Sequence, residues 1–151
     1  MLFLNHGLSG IALGLSIDNP AILIPTALAS HLVLDAVPHF GFSDVHFESD
    51  NGTEFRIPKV FVTGIVDGCI AISLLIVALI SFPTRRGHIL IGWFVAVSPD
   101  LFYLPEVLFK RNISGAFGVF HEWVQWYERE PGIISEIIWF GLVSSYIFSL
   151  R

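Results

Sequence analysis

The sequence predicts an all-α integral membrane protein: a bundle of about five transmembrane helices with a short β-hairpin loop and an interfacial helix. Three observations predict it. Hydrophobic residues make up 54% of the 151 residues and charged ones 14%, with a mean hydropathy of +0.72, whereas about 25% of an ordinary soluble domain is charged. The apolar residues gather in five runs, 2–17, 20–37, 60–82, 87–109 and 132–150. Ionisable side chains also lie inside those runs, and each costs at least ~2.5 kcal/mol at bilayer depth unless it has a partner or a task. Helices and closed barrels alone satisfy their backbone in lipid, so residues 1–151 read as a single helical domain without internal repeats.

The first run carries Gly10 and Gly14 with His6 one turn earlier, a small-residue spacing that lets a neighbouring helix approach closely. It lacks a basic leader, so residues 1–30 read as helix rather than as a cleaved signal. Asp18-Asn19-Pro20 makes a turn, with Pro20 suited to the first turn of the next helix. That second helix holds Pro25 as a possible kink and runs to Pro38. In residues 40–57 the pattern alternates on both sides of Asn51-Gly52, a strong hairpin signal. The third run holds Asp67 and Cys69, the only cysteine, so no disulfide forms within the chain. The fourth contains Ser98-Pro99-Asp100, where Pro99 is expected to bend or break the helix. Residues 120–130 place His121, Gln125 and Glu128 on one face beside Trp123, Trp126 and Tyr127, as in a helix at the membrane surface. The last run holds Glu136 one turn in.

His31, Asp35 and His39 recur every fourth residue, and side chains four apart on a helix are stacked neighbours. Imidazole and carboxylate at that spacing can chelate one ion, and the donor types suit Zn²⁺. An up-down path then places His6, His31, Asp35, His39, Asp67, Asp100 and His121 in one leaflet-sized layer, at ~1.5 Å per helical residue. The opposite layer, crossed by 74–82 and 89–97, is free of ionisable residues. The metal ligands expected on these grounds are His6, His31, Asp35, His39, Asp100 and His121. Asp67 and Asp100 are the carboxylates expected to act catalytically, as a ligand, a general base or an acceptor that fixes a histidine tautomer.

Residues 5–10 (Asn-His-Gly-Leu-Ser-Gly), 30–39, Ser98-Pro99-Asp100 and 120–125 (Phe-His-Glu-Trp-Val-Gln) together resemble small bacterial inner-membrane proteins of the YdjM-like, membrane-bound metal-dependent hydrolase family. That family is similar in turn to zinc-dependent phospholipase C. The resemblance implies His31 and Asp35 as zinc ligands, joined by His6, Asp100 and His121, and a place in the bacterial inner (plasma) membrane. The expected function is therefore a membrane-embedded hydrolase that cleaves a phosphoester of a lipid or other amphiphile at one membrane face. Its expected partners are membrane lipid and an amphiphilic small molecule.

The alternative is a non-enzymatic membrane protein: a metal or proton conduit, or a bundle with a structural metal or a polar core. A net charge of -5 excludes a nucleic-acid footprint. No nucleophile triad or glycine-rich phosphate loop is present. Arg56, Lys59, Lys110, Arg111 and Arg129 fall on the side of the polar layer, and Arg85, Arg86 and Arg151 on the other, so charge leaves the orientation open.

Overall fold

A computed structural model describes residues 1–41, 59–102, 115–127 and 129–151. Six α-helices occur among them: α1 (Phe3–Ser16), α2 (Pro20–Ala36), α3 (Lys59–Ser81), α4 (Arg86–Leu101), α5 (Gly115–Val124) and α6 (Ile133–Ser149). Short 3₁₀ turns at Pro83–Arg85 and Glu130–Gly132 lead into α4 and α6.

The central helix is α1, against which α2, α3, α4 and α6 all pack. Its glycines make this possible. A Cβ at Gly10 would fall on the Gly92 carbonyl of α4, and one at Gly14 on the His88 carbonyl, while Gly92 in turn abuts Gly10. Three missing side chains thus let two backbones touch, the use expected of the Gly10/Gly14 spacing. Below this contact Ile11, Leu15, Leu75, Ala78, Ile89, Trp93 and Val97 form the apolar core. The start of α2 is fixed by Asn19, whose Oδ1 accepts from Ala21 N at 2.9 Å, and by Pro20. Pro25 and Pro99 both lie within continuous helix. The carbonyl that Pro99 cannot satisfy is that of Val95, and the Ser98 hydroxyl donates to it at 2.9 Å.

The expected bundle of about five membrane-spanning helices is not what forms. Among the described residues one helix is long and apolar enough to cross a membrane, Val62–Ser81 in α3, with 20 residues. The helices α1, α2, α4 and α6 have 14, 17, 16 and 17 residues. Four of the five apolar runs match their helices to within one residue at either end, so the expectation fails because most of the helices are themselves shorter than a comfortable span of about 20 residues. In the fourth run α4 ends at Leu101, and 103–109 lie outside the described residues. The first run became the buried centre of the bundle. The expected hairpin lies outside the described residues, among which no strand occurs. His39 alone makes an isolated bridge, donating to Tyr127 O at 3.3 Å and accepting from Arg129 N at 3.1 Å. The helix expected over 120–130 is α5, which ends at Val124 and gives way to a turn.

Candidate metal centre

The last two turns of α2 carry His31 and Asp35 inward, both with fully buried side chains. Close packing of α1 on α4 supplies the rest. His6, one turn before Gly10, lays its ring on that of His31 with centroids 3.9 Å apart. Asp100, on the final turn of α4, brings Oδ1 to 3.7 Å from His31 Nε2. One ligand atom from each of His6, His31, Asp35 and Asp100 lies within 4.8 Å of every other. His121, from α5, joins through Nε2, 2.9 Å from His31 Nε2 and 3.0 Å from Asp35 Oδ2.

The tautomer of His31 gives this cluster its meaning. Its Nδ1 lies 2.7 Å from the Ala96 carbonyl, which can only accept, so Nδ1 carries the proton. In the neutral ring Nε2 is then a bare lone pair, 3.1 Å from Asp35 Oδ2 and facing a second imidazole nitrogen. A proton shared between these atoms satisfies that lone pair, and so does a cation held among them. A ligating histidine that donates its other ring N–H to a backbone carbonyl is the usual supporting arrangement at a metal. His6 makes the same case independently. Its Nε2 is 3.0 Å from Asp35 Oδ1, yet neither ring nitrogen makes a well-directed hydrogen bond among the described residues, although both are buried. Orphaned buried polar atoms of this kind are rare. With neutral imidazoles, Asp35 and Asp100 bring two negative charges, the complement of a divalent cation. The Met1 ammonium also contacts Asp35 Oδ1, at 2.5 Å, and answers part of that negative charge.

The groups on α1 and α2, outside the membrane-length helix, are strongly shifted by their burial and by one another. Burial alone would raise the Asp35 carboxyl. The imidazoles of His121, His31 and His6 close around it outweigh that and hold Asp35 far below the usual carboxylate range. Burial pushes His6 below the usual imidazole range. For His31 burial acts in the same direction, but Asp35 and Asp100 overcome it and favour positive charge on the ring.

His39 and Asp67 stand apart from the group. The ring of His39 turns back to its own segment, with Nδ1 2.8 Å from Val37 O. Asp67, expected as a catalytic carboxylate, accepts from Leu4 N at 3.1 Å. Glu136 accepts from Leu2 N at 3.0 Å and from Asn5 Nδ2 at 2.6 Å. The two carboxylates therefore satisfy backbone donors at the start of α1, where the first turn has no helical partners and the dipole favours negative charge. They hold the helix that carries His6. The Ala96 carbonyl had no signal in the sequence, whereas Gln125, placed on one face with His121 by its spacing, does reach the group: its Nε2 donates to Asp35 Oδ2 at 3.3 Å.

The site has an asymmetric wall. His6, His31 and Asp35 are sealed, whereas the Asp100 side chain is 24% exposed. Near it the Phe102 and Phe117 rings meet with centroids 5.7 Å apart, and Phe117 lies 5.9 Å from His121. In comparisons with known proteins, the chain matches no family model, no curated protein and no solved structure.

Proposed function

We propose that this chain is a membrane-associated, metal-dependent hydrolase in which His6, His31, Asp35, Asp100 and His121 hold a divalent ion, zinc by donor type, and that its substrate is a phosphoester carried on an amphiphile. The observation that carries this reading is His31, locked by Ala96 with its second nitrogen aimed into two carboxylates and an imidazole. Mixed nitrogen and oxygen donors suit Zn²⁺ better than Ca²⁺ or Mg²⁺. The reading keeps the expected kinship with YdjM-like hydrolases as a proposal.

When bound, the ion supplies Lewis acidity toward a phosphoryl group and toward water. The chain's own residues supply positioning and proton transfer. Ala96 and Gln125 fix His31 and Asp35, so the donors are preorganised. Asp100, the partly exposed carboxylate, takes a proton from water as the water oxygen bonds to phosphorus. It returns that proton to the leaving alkoxide as the old P–O bond breaks.

Membrane attachment rests on α3, only 17% of whose apolar window is buried. A core helix of a soluble domain would be mostly covered. Ile80 at 70% exposure on α3, with Ile137 and Phe148 on α6, extends the same surface. Trp123 and Trp126, both largely exposed near the metal cluster, suit a lipid–water boundary. The Phe102–Phe117 pair beside Asp100 favours a substrate with an apolar part next to its reacting group.

The test is hydrolysis of a fluorogenic phosphodiester presented in mixed micelles. Chelation is expected to abolish turnover and Zn²⁺ to restore it. Asp100→Asn is expected to lower kcat by about 10²–10⁴-fold, the range for a general base. A protein that binds the ion stoichiometrically yet turns over no phosphoester in any micelle is a bundle with a structural metal instead.

A further inference from the structure

The end of the molecule away from the metal cluster has its own feature. α3 and α6 each pack on α1 without packing extensively on each other. The gap is a cleft of about 170 Å³, walled by Leu8 and Ile11 of α1, Leu74 and Ala78 of α3, and Ile147 and Phe148 of α6. It opens beside Val77 and Phe148, both well exposed, and so joins the apolar surface assigned above to lipid. Ser81 and Arg151 make one end of the wall polar.

Charge at that end is unbalanced. Arg151 Nη2 donates to Ser81 Oγ at 2.7 Å, and its guanidinium lies 5.9 Å from the Phe148 ring centre. Arg86 Nε donates to Leu79 O at 2.9 Å, so two guanidinium groups sit on the last turn of α3. Arg85 is paired with Asp18. Among the described residues no carboxylate side chain pairs with Arg86 or Arg151. The arrangement is an apolar slot, open to the lipid-facing surface, with two cations at the level where the membrane-length helix ends.

We propose that this cleft binds one acyl chain of an anionic phospholipid, with Arg151, at the polar end of its wall, holding the headgroup phosphate. The proposal rests on the membrane reading above, and it is a site separate from the metal cluster. Arginine matches phosphate through paired donors, and basic side chains near a membrane surface favour anionic over neutral lipid. A second copy of the chain would have to bring a carboxylate to the same place, and a zwitterionic lipid would bring a choline cation along with its phosphate.

The experiment uses the full chain reconstituted in phosphatidylcholine vesicles with and without one-third phosphatidylglycerol. Flotation reads membrane association, and native mass spectrometry of the detergent-extracted protein reads retained lipid. Wild type is expected to float with both vesicles and to retain one phosphatidylglycerol in preference to phosphatidylcholine. Arg151→Gln is expected to lower that preference about fivefold, and Arg86→Gln, outside the wall of the cleft, to lower it less. Val77→Trp, at an exposed position that spares the core, is expected to fill the slot and remove the bound lipid. Flotation with equal retention of the two lipids, or variants that retain lipid like wild type, overturns the lipid site alone. A dimer that buries the cleft in place of lipid does the same. Failure to float overturns the membrane reading and this proposal together.

Discussion

His31 and Asp35 were readable because a helix stacks positions four apart, so their spacing alone put both on one face. The carbonyl that orients His31 belongs to Ala96, and no sequence pattern marks a backbone oxygen as a tautomer lock. Asp67 and Asp100 look alike in sequence, each a carboxylate in an apolar run, but their partners differ: a backbone N–H of α1 for one, an imidazole for the other. These differences have measurable consequences. Gln125→Leu removes a donor to Asp35 without removing a ligand, and is expected to weaken Zn²⁺ binding about 10–100-fold by competition titration. His39→Ala is expected to leave metal stoichiometry unchanged. Glu136→Ala strands the buried donors of Leu2 and Asn5 and is expected to cost about 3 kcal/mol in denaturant unfolding. Metal stoichiometry in the folded fraction is expected to persist.

At the level of helices, the Gly10/Gly14 spacing announced a close neighbour but could not say which helix it was. The partner is α4, chosen because Gly92 supplies the matching gap. That contact sets the distance between His6 on α1 and Asp100 on α4, so packing and chemistry are coupled. Gly92→Val would drive a side chain into the Gly10 backbone. It is expected to destabilise the protein by about 3 kcal/mol or more and to lower metal affinity in whatever fraction folds. Gly68, on α3, has open space where a Cβ would lie. Gly68→Ala is expected to raise stability by about 1 kcal/mol through helix propensity alone. Helix positions and lengths were legible, four runs matching their helices to within a residue at each end, but which of them cross a membrane was not. Hydropathy reports where apolar residues are, not what covers them.

Across the whole molecule, polar and apolar features segregate along the α1 axis. The start of α1 meets Asp35, Asp67 and Glu136, and its far end lies by the apolar cleft and its arginines. The sequence displayed this polarity, because the order of charged residues along alternating helices is independent of helix length. The count of spanning helices was not displayed, since a buried central helix and a lipid-facing one are equally apolar. If α3 crosses the bilayer, Ile72→Lys on its exposed face is expected to reduce flotation with phosphatidylcholine vesicles while Ile72→Leu does not.

The central claim is that imidazoles and carboxylates from α1, α2, α4 and α5 share one divalent ion. Elemental analysis of detergent-purified wild type, His31→Ala and Asp35→Ala, each checked for helicity, tests it most directly. The account predicts about one equivalent of zinc or a similar divalent ion in wild type and less than a tenth of that in either variant. Equal metal content in all three folded proteins would contradict it.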